Sequence, residues 1–415
     1  MSRDRATLGA ALALVALGAL TAAPVAAEPG APATQPAVVA APPPPPPPRS
    51  VARFLTLSGY LQPEFGFKYR ARALPGSRWE YGPVGGRTGI IFTGEPLKGW
   101  SYVAHLVIDG NVISSVTGVD AVDRNGDGAV DTINVSRRSV ISTLLEETTI
   151  NYQPVRSFAL KAGHFRIPFS LENASPNTAL MFPSRAGPNE VFVSGADWGA
   201  LAVTYLGAGL ARAAAGVFRG DSLGFQPVSG YVRGLVLAAR ADVNPLGPFP
   251  FEGNLKREPF RLGLGAGLLY RPATQYDWFG NAQTPIDDWR VCATLRLSLY
   301  GVYLQGEYLR RWQFDAVSSR PQVADGFYAQ GFVLVRVRPW LAVAPIGRVG
   351  FTRQDLGFDP RRVLWTETGL AFYPVANHPE KPNVLRLTLQ YQGERRLDEG
   401  ESAHGAALQI QLLWW

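Results

Sequence analysis

From residue 53 onward, apolar and polar side chains alternate in short runs. Val291, Ala293, Leu295, Leu297 and Leu299 fall on one side of an extended chain, and Cys292, Thr294, Arg296 and Ser298 on the other. Leu55, Leu57, Gly59 and Leu61 oppose Thr56, Ser58, Tyr60, Gln62 and Glu64 in the same way. So do Leu385, Leu387, Leu389 and Tyr391 against Arg386, Thr388, Gln390 and Gln392. A period of two marks a β-strand with two unlike faces. The pattern predicts about sixteen strands, near 53–69, 86–95, 100–110, 138–153, 157–168, 196–206, 209–219, 231–243, 260–271, 288–299, 302–313, 326–338, 340–352, 363–374, 383–394 and 405–415.

The joins alternate as well. Those through Pro96-Leu97-Lys98-Gly99, Pro154-Val155-Arg156, Gly207-Ala208, Tyr300-Gly301 and Pro339 are tight, with 244–259 and 375–382 as exceptions. The intervening joins, including 111–137, 169–195 and 272–287, are long. A soluble sheet has no need of this rhythm. A transmembrane antiparallel β-barrel needs tight turns at one rim and long loops at the other. Mid-strand charges then face a wet interior, because a charge at mid-membrane must meet water or protein. An even strand count and a final strand that ends on Trp414 and Trp415 let the sheet close and remove its edges. Trp100, Tyr102, Trp289, Trp312, Trp340 and Trp365 lie near strand ends, as two interfacial girdles require. Cross-strand packing in a soluble sandwich would account for the rings, but not for the terminal aromatic pair or the strand tally.

Composition narrows the choice. Only 18% of the 415 residues are charged and mean hydropathy is near zero, which suits a surface apolar in alternation. The lone Cys292 excludes an internal disulfide and a cysteine metal site. Residues 1–27 read as a cleaved secretory signal: Arg3 and Arg5, an apolar core from Leu8 to Leu20, then Val25-Ala26-Ala27. Residues 28–50 end in the run Pro42 to Pro48 and read as a polyproline II spacer on the periplasmic side. That leaves 51–415 for the barrel, with a basic excess of about six charges once the signal is removed.

The stretch Lys161-Ala162-Gly163-His164-Phe165-Arg166-Ile167-Pro168-Phe169-Ser170-Leu171-Glu172 leads into the third outer loop, which returns at Gly195-Ala196-Asp197-Trp198-Gly199. Here the chain resembles the phosphate-selective porins O and P of bacterial outer membranes. Gly163, Phe165, Arg166, Pro168, Phe169 and Glu172 match the stretch that opens their third loop, and Gly195, Asp197 and Gly199 the one that closes it. Ser184-Arg185 stands where the family carries Glu-Arg, and Ala196 where it carries arginine. The resemblance implies a homotrimer whose third loop folds into each lumen. It implies a water-filled pore for passive diffusion of small hydrophilic solutes. The dense arginine run of the family has no clear match here, and the basic excess of the chain adds a mild preference for anions, phosphate being one candidate.

Candidate selectivity residues follow. Arg212, Arg296, Arg348 and Arg386 fall on inward faces, while Lys161, Arg166 and Arg185 flank or enter the third loop. A charge ring in a narrow, low-dielectric pore biases local ion concentration. Glu64, Glu147, Glu307 and Glu367 are also assigned inward, so the lumen is mixed. In the second outer loop Asp123, Asn125, Asp127 and Asp131 occupy the first, third, fifth and ninth positions of a calcium-loop spacing, with Gly128 at the sixth. They are the candidate Ca²⁺ ligands; no cofactor is required. The four histidines lie in no recognisable hydrolase motif, and no basic patch is interleaved with aromatic residues, so neither an enzyme nor a nucleic-acid binder is expected. The alternative function is a structural or adhesive barrel plugged by its third loop.

Overall fold

The computed structural model describes residues 54–70, 79–122, 132–193, 195–220, 235–249, 259–274, 286–315, 322–355, 361–376 and 384–414. Among them sixteen strands form one closed antiparallel sheet. These are β1 (Thr56–Arg70), β2 (Trp79–Leu97), β3 (Trp100–Val122), β4 (Thr132–Val155), β5 (Phe158–Arg166), β6 (Ala196–Leu206), β7 (Ala211–Phe218) and β8 (Val236–Val243). They continue with β9 (Arg261–Thr274), β10 (Ile286–Leu299), β11 (Val302–Asp315), β12 (Gln322–Val333, resuming at Val335–Arg336), β13 (Ala342–Asp355), β14 (Arg361–Tyr373), β15 (Leu385–Arg396) and β16 (Glu401–Trp414). Each strand pairs with its neighbours in sequence, and β1 pairs with β16 to close the ring.

The two faces separate as the alternation demands. On the outer face Leu295, Leu304 and Leu389 are 46%, 49% and 51% exposed; on the inner face Arg296, Thr388 and Gln390 are 2%, 0% and 2% exposed. The tight rim is built from backbone that few residues tolerate. Between β10 and β11 both turn residues have positive φ, Tyr300 at 45° and Gly301 at 96°. That is the geometry of a two-residue I′ hairpin, whose twist matches the strands it joins.

Three departures have physical reasons. First, β2, β3 and β4 run well past their expected ends, because alternation continues beyond the apolar belt and polar residues can pair in a ribbon above it. Second, β12 breaks at Leu334, and residues 337–341 close the turn with mutual bonds between Arg338 and Leu341 where a bare Pro339 join was expected. Third, the inner face is not polar throughout. Leu201 and Val203 of β6, Phe218 of β7 and Ala238 of β8 form an apolar cluster with Ile167, Phe169 and Phe192 of the join between β5 and β6. That join brings its own apolar side chains, so the wall facing it need not be wet.

Candidate functional site: the third long join and the inner wall

The segment between β5 and β6 has little regular structure, only α1 (Leu171–Ala174), a single 3₁₀ turn at Asn177–Ala179 and α2 (Gly187–Phe192). Ser170 caps α1 by accepting from Asn173 N at 3.2 Å, and Pro188 fits the first turn of α2, where its missing N–H costs nothing. Single turns leave most carbonyls without a partner, and an unpaired buried carbonyl is expensive. Arginines supply the missing donors. From the wall, Arg240 (β8) donates to Phe169 O at 3.0 Å, Arg290 (β10) to Phe192 O at 2.7 Å and Arg386 (β15) to Leu180 O at 2.6 Å. Arg348 (β13) donates to Ser184 O at 3.0 Å and Arg185 O at 3.2 Å. Arg166, at the end of β5, reaches Asn173 O at 3.4 Å. Arg185, inside the segment, donates to Glu172 O and Ser175 O. A guanidinium carries five donors and no acceptor, so it suits this task better than any other side chain.

A buried carboxylate holds the front of the segment. Glu307 (β11) accepts from Ser170 Oγ at 2.7 Å, Leu171 N at 2.7 Å, Thr294 Oγ1 at 2.8 Å and Tyr328 OH at 2.7 Å, and faces Arg240 at 3.9 Å. Glycines let the backbone come close. A Cβ on Gly267 (β9) would lie 2.1 Å from Phe169 O, and one on Gly350 (β13) 2.9 Å from Pro188 Cδ. Gly267→Val is therefore expected to push the segment off the wall and destabilise the protein by about 1–3 kcal/mol, the cost of overpacking; equilibrium urea unfolding of the folded barrel measures it.

Of the sequence-predicted residues, Arg166, Arg185, Arg348 and Arg386 converge on this segment. Arg348 also pairs with Glu172 at 3.2 Å and with Glu367. Lys161 pairs with Glu147 and lies over the Phe165 ring. Arg212 faces Asp242 at 4.0 Å, and Arg296 bonds Asn244 Oδ1 at 3.3 Å with its guanidinium over the Phe249 ring. These three stand apart from the gathered four. Asp123, Asn125, Asp127 and Asp131 lie outside the described residues.

Four further residues belong to the site. Arg240 and Arg290 share the period-two inward rows of β8 and β10, a signal the sequence carried openly. Glu146 could not be read that way. His105 pairs with Glu147 and Leu106 with Leu145, so Glu146 is the extra residue of a β-bulge, which turns it inward to meet Arg166 and Asn177. Glu190 of α2 is exposed and lies within electrostatic reach of Arg348, Arg87 and Arg185. It borders a cavity of about 590 Å³ whose walls also carry Glu64, Arg87, Arg185, Trp365 and Glu367. The cavity is therefore lined by both signs of charge.

No family model matches the chain, and no curated protein does. Solved structures match its fold. OprB of Pseudomonas putida aligns over 88% of this chain and 95% of its own, with 12% identity and a TM-score of 0.55. An anion-selective porin from Comamonas acidovorans covers 86% of this chain and 99% of its own, and the outer membrane channel DcaP of Acinetobacter baumannii 86% and 96%, both at 12% identity and TM-scores of 0.53. At that identity the shared property is the fold: this chain is an antiparallel sixteen-stranded β-barrel of the architecture found in those porins.

Proposed function

We propose that the chain is a porin of a bacterial outer membrane, passing small hydrophilic solutes by passive diffusion, with the third long join narrowing its lumen. The observation that carries this reading is the pairing of an apolar outer face with a charged inner one around a cavity beside that join. In this reading residues 1–27 direct export, 28–50 form the periplasmic spacer, and the barrel assembles as a homotrimer. Lys161, Arg166, Arg185, Arg212, Arg296, Arg348 and Arg386 give a mild anion preference, phosphate included. Most of these guanidiniums already hold a carbonyl or a carboxylate, which keeps the preference mild. The fold of the anion-selective porin from Comamonas acidovorans supports a channel of this general kind.

A second reading, a plugged structural barrel, draws on the apolar cluster between the join and β6–β8, which fills part of the interior. Planar-bilayer recording of the purified, folded protein separates the two. Stepwise ohmic openings with a reversal potential displaced toward anions are expected. A silent bilayer from protein that is β-rich by circular dichroism and heat-modifiable on gels would favour the plug.

A further inference from the structure

One patch departs from the apolar outer face. Arg310 (β11) pairs in register with Asp325 (β12), Asp325 with Arg353 (β13), and Arg353 with Arg362 (β14). This row points away from the lumen: its chain neighbours Leu309, Ala324 and Thr352 are buried on the inner side, and Arg311 bonds inward to Asp288 at 2.9 Å. The next row toward the tight turns runs Tyr308, Phe327, Phe351 and Leu364 and ends at Arg395. A cationic row thus stands immediately beyond an aromatic one, near the rim that carries the long joins.

Aromatic rings on a barrel's outer face mark the headgroup level, so the arginines beyond them stand where lipid phosphates lie. Arg353 meets Asp325 at 2.7 Å and Arg362 meets Asp398 at 2.6 Å, yet their side chains stay 56% and 52% exposed. Ion pairs this exposed contribute little, so the guanidiniums remain open to a better acceptor. Arg310 lies 5.1 Å from the Trp312 ring with its Nε unpartnered, and Arg395 is exposed. The guanidiniums of Arg310, Arg353, Arg362 and Arg395 outnumber the carboxylates of Asp325 and Asp398. Phosphate oxygens match a guanidinium fork two at a time, and acyl chains would extend over the aromatic row and the leucines below it.

We propose that this row docks the phosphorylated headgroup of an anionic lipid in the leaflet at the long-join rim. The inference rests on the membrane reading above but not on conduction. Native mass spectrometry of the full detergent-folded chain tests it, with bisphosphorylated lipid A as the probe and inorganic phosphate as competitor. The wild type should retain the lipid through detergent removal. The R310Q/R353Q/R362Q variant should retain it about tenfold less well, with channel conductance unchanged. Lipid stripped of its phosphates should be lost to the same degree. If the triple variant does not fold, R353Q and R362Q singly should each show a smaller loss in the same direction. Equal retention by wild type and variants, equal retention of the dephosphorylated lipid, or displacement by millimolar inorganic phosphate would each overturn the proposal. A silent barrel that still holds the phosphorylated lipid would sink the channel reading and leave this one standing.

Discussion

Replacing Glu307 with alanine is expected to destabilise the barrel by about 3–5 kcal/mol, the scale for removing one partner of a buried charge cluster. Glu307 is 2% exposed, and its carboxylate alone joins Ser170, Leu171, Thr294 and Tyr328, with Arg240 close by. Without it the Leu171 N–H loses its acceptor, Arg240 is left with Asp242 as its one carboxylate neighbour, and the front of the third join comes free of β11. Two readouts should move together. Urea unfolding shifts to lower concentration, and single-channel current becomes larger and noisier as the join leaves the wall. Glu307→Gln keeps the shape but cannot offer the same acceptors, since its amide nitrogen would face donors, so it should fall between alanine and wild type. An alanine variant as stable and as quiet as wild type would show that the join is held elsewhere.

Glu190→Lys is expected to shift the reversal potential in a salt gradient toward anions. The side chain borders the cavity and forms no ion pair among the described residues, so on the channel reading part of its charge acts on passing ions, although the charges of Arg348, Arg87 and Arg185 also reach it. A unit charge several ångströms from an ion is worth on the order of 1 kcal/mol at a dielectric between protein and water, a factor of about five in permeability ratio. Salt screening over roughly 8–10 Å trims this at physiological ionic strength. Arg185→Glu should move the potential toward cations, but with a loss of stability, because Arg185 also holds Ser175 O and Asn177 Oδ1. Arg353→Glu, on the outer face, is the control and should move it little. Equal shifts from Glu190 and Arg353 would place the constriction away from α2.

The strands were legible because facing is a local property. Thr294 and Arg296, or Thr388 and Gln390, declare their side by the residues on either flank, and all four are buried on the inner face. What those side chains bond to is not local. Nothing near Arg386 announces that it serves the carbonyl of Leu180, or near Arg290 that it serves that of Phe192. Period-two reading identified inward arginines and assigned them to ions, while two of them, Arg348 and Arg386, also serve backbone oxygens of a distant segment. Glu146 escaped for a related reason, since a bulge adds one residue to one strand and breaks the count. The long ribbons of β2, β3 and β4 escaped because hydropathy locates the end of the apolar belt, not the end of pairing.

The arginine bonds also set an order of events in assembly. Arg240 lies 71 residues from the carbonyl it serves, Arg290 98, Arg348 164 and Arg386 206. Contacts this remote in sequence carry a large loop-closure cost and form late. Until β8 through β15 have zipped, the third join has local donors, the guanidiniums of Arg166 and Arg185 among them, but the carbonyls of Phe169, Leu180, Ser184 and Phe192 lack their wall donors. On the channel reading proposed above, an unclosed sheet therefore has no constriction, and the bottleneck would form only as the ring completes. Time-resolved refolding into bilayers should show a wide, leaky phase before the narrow conductance settles, with the settling rate tied to strand closure and not to the join's own short helices.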